Sequence, residues 1–137
     1  MLKATPFLLF DGRCAEAMTF YHECIGGELR LTRLGDTPMR EKFPAEKHDR
    51  IINAHLRLGE LEISASDWMA SPDFDPVLGN TSAIFVTSSD HGELHRVFER
   101  LRDGDNNTRL QELHAQPFGL YGQFYDRYGT QWIFVGT

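Results

Sequence analysis

Apolar and polar residues alternate along two short runs between Ile51 and Asp67, on either side of Gly59 and Glu60. A period of two is typical of a β-strand that buries one face. Glycine readily takes the positive φ that a two-residue hairpin turn requires. The stretch therefore predicts a β-hairpin that turns at Gly59.

A similar pattern closes the chain, from Tyr121 to Val135. By position along the run, Gly129 takes the place of Gly59, and Ile133 takes the place of Ile63. Self-similarity over a long period is the signature of a repeated supersecondary unit. The two hairpins therefore predict that the chain contains a duplicated module.

Each hairpin is preceded by the pattern of a strand, a helix and a second strand. Both helical segments carry apolar residues three and four positions apart, which gives one buried stripe, and glycines mark the helix ends. The first half has the strand Thr5–Phe10, the helix Cys14–Ile25 followed by Gly26 and Gly27, and the strand Glu28–Leu34. The second half has the strand Ala83–Thr87, the helix Glu93–Leu101 with Gly104 as its stop, and the strand Thr108–Leu113.

Two segments fall outside this regular pattern. The polar segment from Gly35 to Asp49 contains Pro38 and Pro44 and has no sustained period, so it predicts a long loop of the kind that often covers a site or a partner. Residues 69–80 predict a connector. The predicted fold class is therefore α+β, in a single domain, with one βαβββ module in residues 1–68 and a second in residues 81–137.

Composition and charge narrow the possible partners and compartment. A chain of 137 residues suits one domain, and a net charge of -6 without a run of Lys or Arg argues against nucleic acid or an anionic membrane. The first apolar run is too short for a signal peptide or a membrane span, so we expect a cytoplasmic protein. Cys14 and Cys24, about 15 Å apart along one predicted helix, are too distant for a disulfide, and we expect reduced thiols.

Three segments together are similar to a known family. The segments are FLLFDGRCAEAMTFYHECIGGEL, INAHLRLGELEISASDW and GQFYDRYGTQWIF. They resemble the PhnB-like branch of the vicinal oxygen chelate superfamily, which also contains glyoxalase I, extradiol dioxygenases and fosfomycin- and bleomycin-resistance proteins. The resemblance covers nearly the whole chain. It implies two βαβββ modules whose curved mixed sheets surround an open cavity, the glyoxalase/bleomycin-resistance fold, commonly within a homodimer.

The resemblance also implies where a metal would bind. In the metal-dependent members, the first and last strands of each module each supply one His or Glu ligand to a single divalent cation, which acts as a Lewis acid. Counted from the motifs, those positions fall on Pro6, Ser82, Ile63 and Ile133. None of these residue types is a good metal ligand. A register shifted by one residue does not rescue the site, since it brings in Glu62 with Gln131 or Trp132, and Thr5 or Phe7. We therefore expect no metal and no other cofactor.

His55 is the titratable residue that we single out first. It lies in the middle of the first strand of the first hairpin, between apolar neighbours. From there it can line a cavity as an acid, a base or a hydrogen-bond donor. Alternatively, it lies on the outer or dimer-facing side of the sheet.

Three more residues near the end of the same hairpin are candidate ligand-binding groups. Asp67 and Trp68 end the returning strand where a cavity mouth is expected, so they are suited to a small ligand that is both polar and aromatic. Asp67 as a turn residue and Trp68 as interface packing are equally open interpretations. Ser64 is a possible donor to a ligand, although serines are common on the solvated face of a strand. No catalytic residue is assigned.

Three functions remain open from the sequence. The first is a metal-independent protein that binds small molecules in a largely apolar cavity. The second is a metal-dependent lyase, isomerase or dioxygenase with relocated ligands, which include His55. The third is a dimeric scaffold without a ligand. Some family members carry a demethylubiquinone methyltransferase label, but the chain lacks the glycine-rich loop expected of an S-adenosylmethionine site.

Overall fold

The structure is a computed structural model, and it describes residues 1–69, 76–103 and 110–137. The predicted helix stop at Gly104, half of the connector 69–80 and the start of the predicted strand Thr108–Leu113 lie outside the described residues. The chain divides into two compact units, Met1–Val77 and Leu78–Thr137.

The first unit is a four-stranded mixed sheet with one helix. Its elements are β1 (Phe7–Phe10), α1 (Cys14–Ile25), β2 (Glu28–Arg33), β3 (Ile51–Leu58) and β4 (Leu61–Asp67). The strand order is β1-β4-β3-β2, with β1 parallel to β4 and the other pairs antiparallel. The segment between β2 and β3 contains three short 3-10 helices, Leu34–Asp36, Pro38–Lys42 and Ala45–Lys47, where the sequence predicted only a loop.

The second unit repeats this architecture. Its elements are β5 (Ile84–Ser88), α2 (His91–Arg102), β6 (Gln111–Gln116), β7 (Gly119–Tyr125) and β8 (Gln131–Gly136). The strand order is β5-β8-β7-β6, again with one parallel pair at the edge. The α+β class and the βαβββ order are confirmed. The second strand of this unit, β6, lies later in the chain than predicted, because its polar sequence gives little indication of where pairing starts.

The helix of each unit covers one face of its own sheet. In the first unit, Ile63 and Ala65 of β4 are buried against α1, whose Met18 and Tyr21 are fully buried. In the second unit, Phe98 of α2 contacts the edges of two sheet residues, Phe124 at 5.0 Å and Phe134 at 5.3 Å between ring centroids. We call the opposite face of each sheet, which its helix does not cover, the helix-free face.

The strand registers define which residues correspond between the units. Both parallel strand pairs end with the same backbone contact: the Trp68 N–H donates to the Phe10 carbonyl, and the Thr137 N–H donates to the Ser88 carbonyl. The residues just before, Asp67 and Gly136, therefore correspond. Counting back along β4 and β8 pairs the remaining residues of these two strands.

This correspondence corrects the predicted alignment of the two hairpins. Ile63 is 1% exposed on the helix-covered face, and its counterpart is Trp132, which is fully buried. Ile133 lies on the helix-free face and corresponds to Ser64. The hairpins differ because the connection between corresponding paired residues has five residues in the second hairpin and four in the first. One additional residue reverses the face of every side chain that follows.

The first strands are also shifted relative to the predicted alignment. Phe7 pairs with Ser64, and Phe85 pairs with Ile133, so Phe7 and Phe85 correspond. Pro6 therefore corresponds to Ile84 rather than to Ser82. The four predicted metal positions therefore do not all lie on the same type of sheet face.

Among the described residues, no helix is long and apolar enough to cross a membrane.

Candidate functional site

The helix-free face of the first sheet carries a small ionic cluster. His55 Nε2 lies 2.6 Å from Glu62 Oε1, and Lys3 Nζ lies 2.5 Å from Glu62 Oε2. The hydrogen bonds from Lys3 and His55 lower the pKa of the Glu62 carboxyl below its ordinary value. The side chains of His55 and Glu62 are 32% and 18% exposed, so the cluster is accessible to a ligand.

Ser64 lies directly beside this cluster. It is the cross-strand partner of His55 and the parallel-strand partner of Phe7, a residue that is 58% exposed. The structure therefore brings together two of the four predicted ligand-binding residues, His55 and Ser64, on one face. The register that places them there also turns Glu62 to the same face.

Asp67 lies on the opposite, helix-covered face and is 2% exposed. Its Oδ1 accepts from the backbone N–H groups of Gly12 at 2.8 Å and Cys14 at 3.0 Å, and its Oδ2 accepts from the Ile51 N–H at 2.9 Å. These bonds join the turn before α1, the start of β3 and the end of β4. This placement differs from the predicted cavity mouth, because the alternation that turns Ser64 outward turns Asp67 inward.

Trp68 is half-buried at the end of β4. Its backbone N–H donates to the Phe10 carbonyl at 2.6 Å, and its own carbonyl accepts from Arg50 Nη1 at 2.8 Å. The same guanidinium nitrogen forms an ion pair with Asp11 at 2.7 Å. Asp67 and Trp68 therefore belong to the junction around the start of α1, apart from the His55 cluster.

The helix-free face of the second sheet carries a chain of uncharged hydrogen-bonding groups. Gln131 Nε2 donates to the Ser82 carbonyl at 2.8 Å, and Gln123 Nε2 donates to Gln131 Oε1 at 2.7 Å. The Tyr121 hydroxyl lies 3.4 Å from Gln123 Oε1 and donates to it. We call Tyr121, Gln123 and Gln131 the glutamine relay.

The relay forms part of a recess of about 490 Å³. Its volume lies within the usual range of small-molecule sites. The lining side chains that the structure describes are uncharged, and five of these six are polar: Asn80, Leu110, Gln111, Gln123, Tyr125 and Gln131. We call this the glutamine recess. Such a lining suits an uncharged polar ligand better than an ion, because it offers hydrogen bonds without a counter-charge.

Sequence reasoning did not find the glutamine recess, although a signal for it exists. By the strand registers, Gln131 corresponds to Glu62 and Gln123 corresponds to His55. The two pairs make the same diagonal side-chain contact across their hairpins, at 2.7 and 2.6 Å. The extra residue in the turn of the second hairpin hides this match from a count along the sequence.

The donor set does not fit the metal site of the superfamily. Position by position, Glu62 and Phe7 correspond to Gln131 and Phe85, so a single carboxylate is present at four aligned helix-free positions. Both oxygens of that carboxylate already have partners, His55 and Lys3. Within residues 1–69, 76–103 and 110–137, no three His, Cys, Asp or Glu side chains come together as a metal-binding group.

The two cysteines are buried packing residues of α1. Burial, and then the charge of Asp67, raise the pKa of the Cys14 thiol to about 12. Cys24 is 6% exposed on the same helix. Neither thiol forms a disulfide, as the distance along the predicted helix indicated. A thiol held neutral in this way is not a nucleophile at neutral pH.

Comparison with known proteins identifies relatives along the whole chain. A family model described as 3-demethylubiquinone-9 3-methyltransferase matches residues 2–135. The crystal structure of protein PA1353 from Pseudomonas aeruginosa is 29% identical with a TM-score of 0.83, and the match covers 99% of this chain and 98% of that one. The PhnB protein from Bacillus cereus, titled a putative 3-demethylubiquinone-9 3-methyltransferase, is 23% identical with a TM-score of 0.72 and covers 99% and 100% of the two chains.

More distant structures share the fold. A glyoxylase/bleomycin resistance protein/dioxygenase domain from Frankia is 19% identical, with a TM-score of 0.62 over 99% of this chain and 98% of that one. TnmS3, titled an antibiotic binding protein from Streptomyces, is 16% identical, with a TM-score of 0.52 over 98% and 96%. These likenesses confirm the glyoxalase/bleomycin-resistance fold that the sequence motifs implied.

Proposed function

Because the chain belongs to the family described as 3-demethylubiquinone-9 3-methyltransferase, within the vicinal oxygen chelate superfamily, we propose that it binds an uncharged small organic molecule without using a metal. The ligand occupies the glutamine recess on the helix-free face of the second sheet. Capture of the ligand, rather than its chemical conversion, is the activity.

The observation that carries this proposal is the uncharged lining of a recess of suitable volume. Gln123 and Gln131 are held in a fixed orientation by hydrogen bonds, so they are preorganised to bind a partner. Among the relatives, TnmS3 is titled an antibiotic binding protein, which supports ligand capture as an activity of this fold.

Metal chemistry is the alternative that the superfamily suggests, and the His55–Glu62 pair is the observation that favours it. The pair brings an imidazole and a carboxylate within 2.6 Å on an accessible face. The proposal of metal-free binding predicts that untreated protein carries much less than one divalent metal ion per chain by elemental analysis. One Zn, Ni, Mn or Fe ion per chain that His55→Ala removes would establish the alternative.

Methyl transfer is named in the description of the family. The described chain has no glycine-rich loop between a strand and a helix that would bind the nucleotide part of S-adenosylmethionine. We therefore expect S-adenosylmethionine to leave the melting temperature unchanged. A concentration-dependent rise in melting temperature with this compound would reinstate methyl transfer as the function.

A thermal-shift screen with uncharged and charged small molecules tests the binding proposal directly. A ligand that binds only the native state raises stability by about 2.7 kcal/mol at a concentration one hundred times its Kd. Gln123→Leu should reduce the shift for compounds bound in the recess. The matched control is Gln116→Leu, which changes an exposed glutamine of β6 outside the recess. A library without any stabilising compound would favour a scaffold without a ligand.

We also propose that the protein is a homodimer, as its superfamily resemblance implies, and that it is cytoplasmic. Light scattering on the purified chain should give twice the 15.7 kDa mass of one chain. A single-chain mass at micromolar concentration would contradict the dimer.

A further inference from the structure

We infer that the glutamine recess selects ligands with an N–H donor beside a C=O acceptor, the edge that a lactam, an imide or a pyrimidinedione presents. This inference rests on the proposed binding function and names its ligand class. It follows from the directions of the hydrogen bonds in the glutamine relay.

The relay starts at a group whose chemistry allows one orientation only. A backbone carbonyl accepts hydrogen bonds and never donates them. Gln131 Nε2 lies 2.8 Å from the Ser82 carbonyl and 3.4 Å from the Asn80 carbonyl, so the amide nitrogen must face them. Both N–H bonds of Gln131 are therefore used, and its Oε1 faces the recess.

The orientation of Gln131 fixes the orientation of Gln123. Since Gln131 Oε1 is an acceptor, the group 2.7 Å from it must be the Gln123 amide nitrogen. Gln123 Oε1 then faces the Tyr121 hydroxyl, which donates to it at 3.4 Å. The amide flip that is often ambiguous in glutamines is settled at both positions by the two backbone carbonyls.

An inventory of the relay shows what is left for a ligand. Gln123 keeps one of its two N–H bonds and one lone pair on Oε1, and Gln131 keeps one lone pair on its Oε1. A donor thus lies beside acceptors on one face of the recess. The complementary ligand edge has an acceptor beside a donor, both uncharged.

Other ligand classes match this edge less well. A carboxylate has no hydrogen to donate to the glutamine oxygens, and neither a carboxylate nor a phosphate finds a cation among the described lining residues to balance its charge. An ammonium ion lacks an acceptor for the Gln123 N–H. A purely apolar ligand would leave the remaining Gln123 N–H without an acceptor, which is unfavourable once water is excluded.

Matched probes measured by NMR on the full chain test the inference. The side-chain amide signals of Gln123 and Gln131 are followed while 2-pyridone, N-methyl-2-pyridone, benzoate or benzene is added. 2-Pyridone carries the N–H beside the C=O, and N-methylation removes only the donor. We expect 2-pyridone to shift both side-chain signals and to bind about tenfold more tightly than its N-methyl analogue, because one hydrogen bond is lost.

Variants locate the effect. Gln123→Leu should weaken 2-pyridone binding about tenfold, and Gln116→Leu should leave it unchanged. The comparison of the two pyridones in the unmodified protein needs no variant, so it decides the question even if Gln123→Leu fails to fold.

The remaining outcomes distinguish a failure of this inference from a failure of the proposed binding function. Equal affinity for the two pyridones would overturn the inference. Binding of benzene at these residues, in preference to 2-pyridone, would overturn the inference and leave the binding function standing. Preferential binding of benzoate would overturn both, because the proposed ligand is uncharged. Absence of any shift at Gln123 and Gln131, together with a thermal-shift screen that finds no ligand, would overturn both.

Discussion

The same two positions hold a charged pair in the first unit and an uncharged pair in the second. His55 and Glu62 lie 2.6 Å apart, and their counterparts Gln123 and Gln131 lie 2.7 Å apart. The backbone geometry of the hairpin is thus preserved while the chemistry of the contact is exchanged. Duplication supplied two equivalent side-chain positions, and the residues at them give one sheet an ionic face and the other a neutral one.

The helix-covered faces differ in a complementary way. In the first unit two small residues, Ala54 and Ala65, pair across β3 and β4 beneath α1. At the corresponding places in the second unit, Gly122 pairs with Phe134. A large ring on β8 is accommodated because its neighbour on β7 has no side chain. Both cores are close-packed, the first with two small side chains at these positions and the second with one large side chain beside a glycine.

The helix starts differ most of all. Asp90 caps α2 locally, through its Oδ1 and the Glu93 N–H at 3.1 Å. Residue 13, before α1, makes no side-chain cap, and Asp67 from the end of β4 accepts from Gly12 and Cys14 instead. At the place of Asp67 the second unit has Gly136, against which the His91 ring packs.

Removing the long-range anchor should give the largest effect on stability. Asp67→Ala leaves three backbone N–H groups without an acceptor in a buried junction, so we expect a loss of about 3 to 5 kcal/mol in the free energy of unfolding. Urea denaturation followed by circular dichroism measures it. The matched control is Asp90→Ala, which removes one local cap and should cost about 1 kcal/mol. Equal losses would show that the two helix starts are equivalent.

The packing difference predicts an intermediate effect. In Gly122→Ala the new Cβ would lie 2.6 Å from Phe98 and 3.0 Å from Leu113, so the core must shift, at a cost of about 1 to 3 kcal/mol. Thermal unfolding measures the change. Gly79→Ala, whose Cβ meets nothing within 4 Å, is the control and should be close to neutral. A stable Gly122→Ala protein would mean that Phe98 moves freely, and Phe98→Leu in the same chain should then add no rescue.

The ionic pair predicts the smallest effect, and it depends on pH. Hydrogen bonds from Lys3 and His55 lower the pKa of Glu62 in the folded state, so the cluster stabilises the fold above the unfolded value near 4.5. That contribution is lost as the pH falls through the lower folded pKa. Urea midpoints measured from pH 7 to about pH 3 should fall less steeply for Glu62→Gln than for the unmodified chain.

The control for this titration lies in the same hairpin. Glu60→Gln removes an exposed carboxylate from the turn, where the described residues give it no ion-pair partner. We expect its profile to follow that of the unmodified chain. If Glu62→Gln and Glu60→Gln give the same profile, the contact with Lys3 and His55 contributes nothing measurable.

Local signals in the sequence predicted much of the fold. The helix Cys14–Ile25 has the predicted bounds, because its apolar stripe and the glycines after it all lie within one short stretch of the sequence. The strand β6 was misplaced, since six largely exposed residues carry no alternation and its pairing with β7 is irregular. Where pairing with a distant strand decides the outcome, a local pattern is not sufficient.

The candidate site was predicted only in part, for the same reason. His55 and Ser64 could be found because they alternate within one hairpin. Asp67 was placed at a cavity mouth, but its acceptors are engaged by residues up to 55 positions away, which no local pattern reveals. Gln123 and Gln131 were missed because they can be matched to His55 and Glu62 only when the strand pairing across the longer connection of the second hairpin is known.

The Asp67 contact also implies an order in which the elements of the first unit form during folding. Its acceptor groups reach Cys14 across 53 residues and Ile51 across 16, whereas the Asp90 cap spans three. The first turn of α1 therefore gains its cap only after β3 and β4 have assembled, while α2 carries its own from the start. Amide exchange at Gly12 and Cys14 should consequently report the integrity of a hairpin to which neither residue belongs.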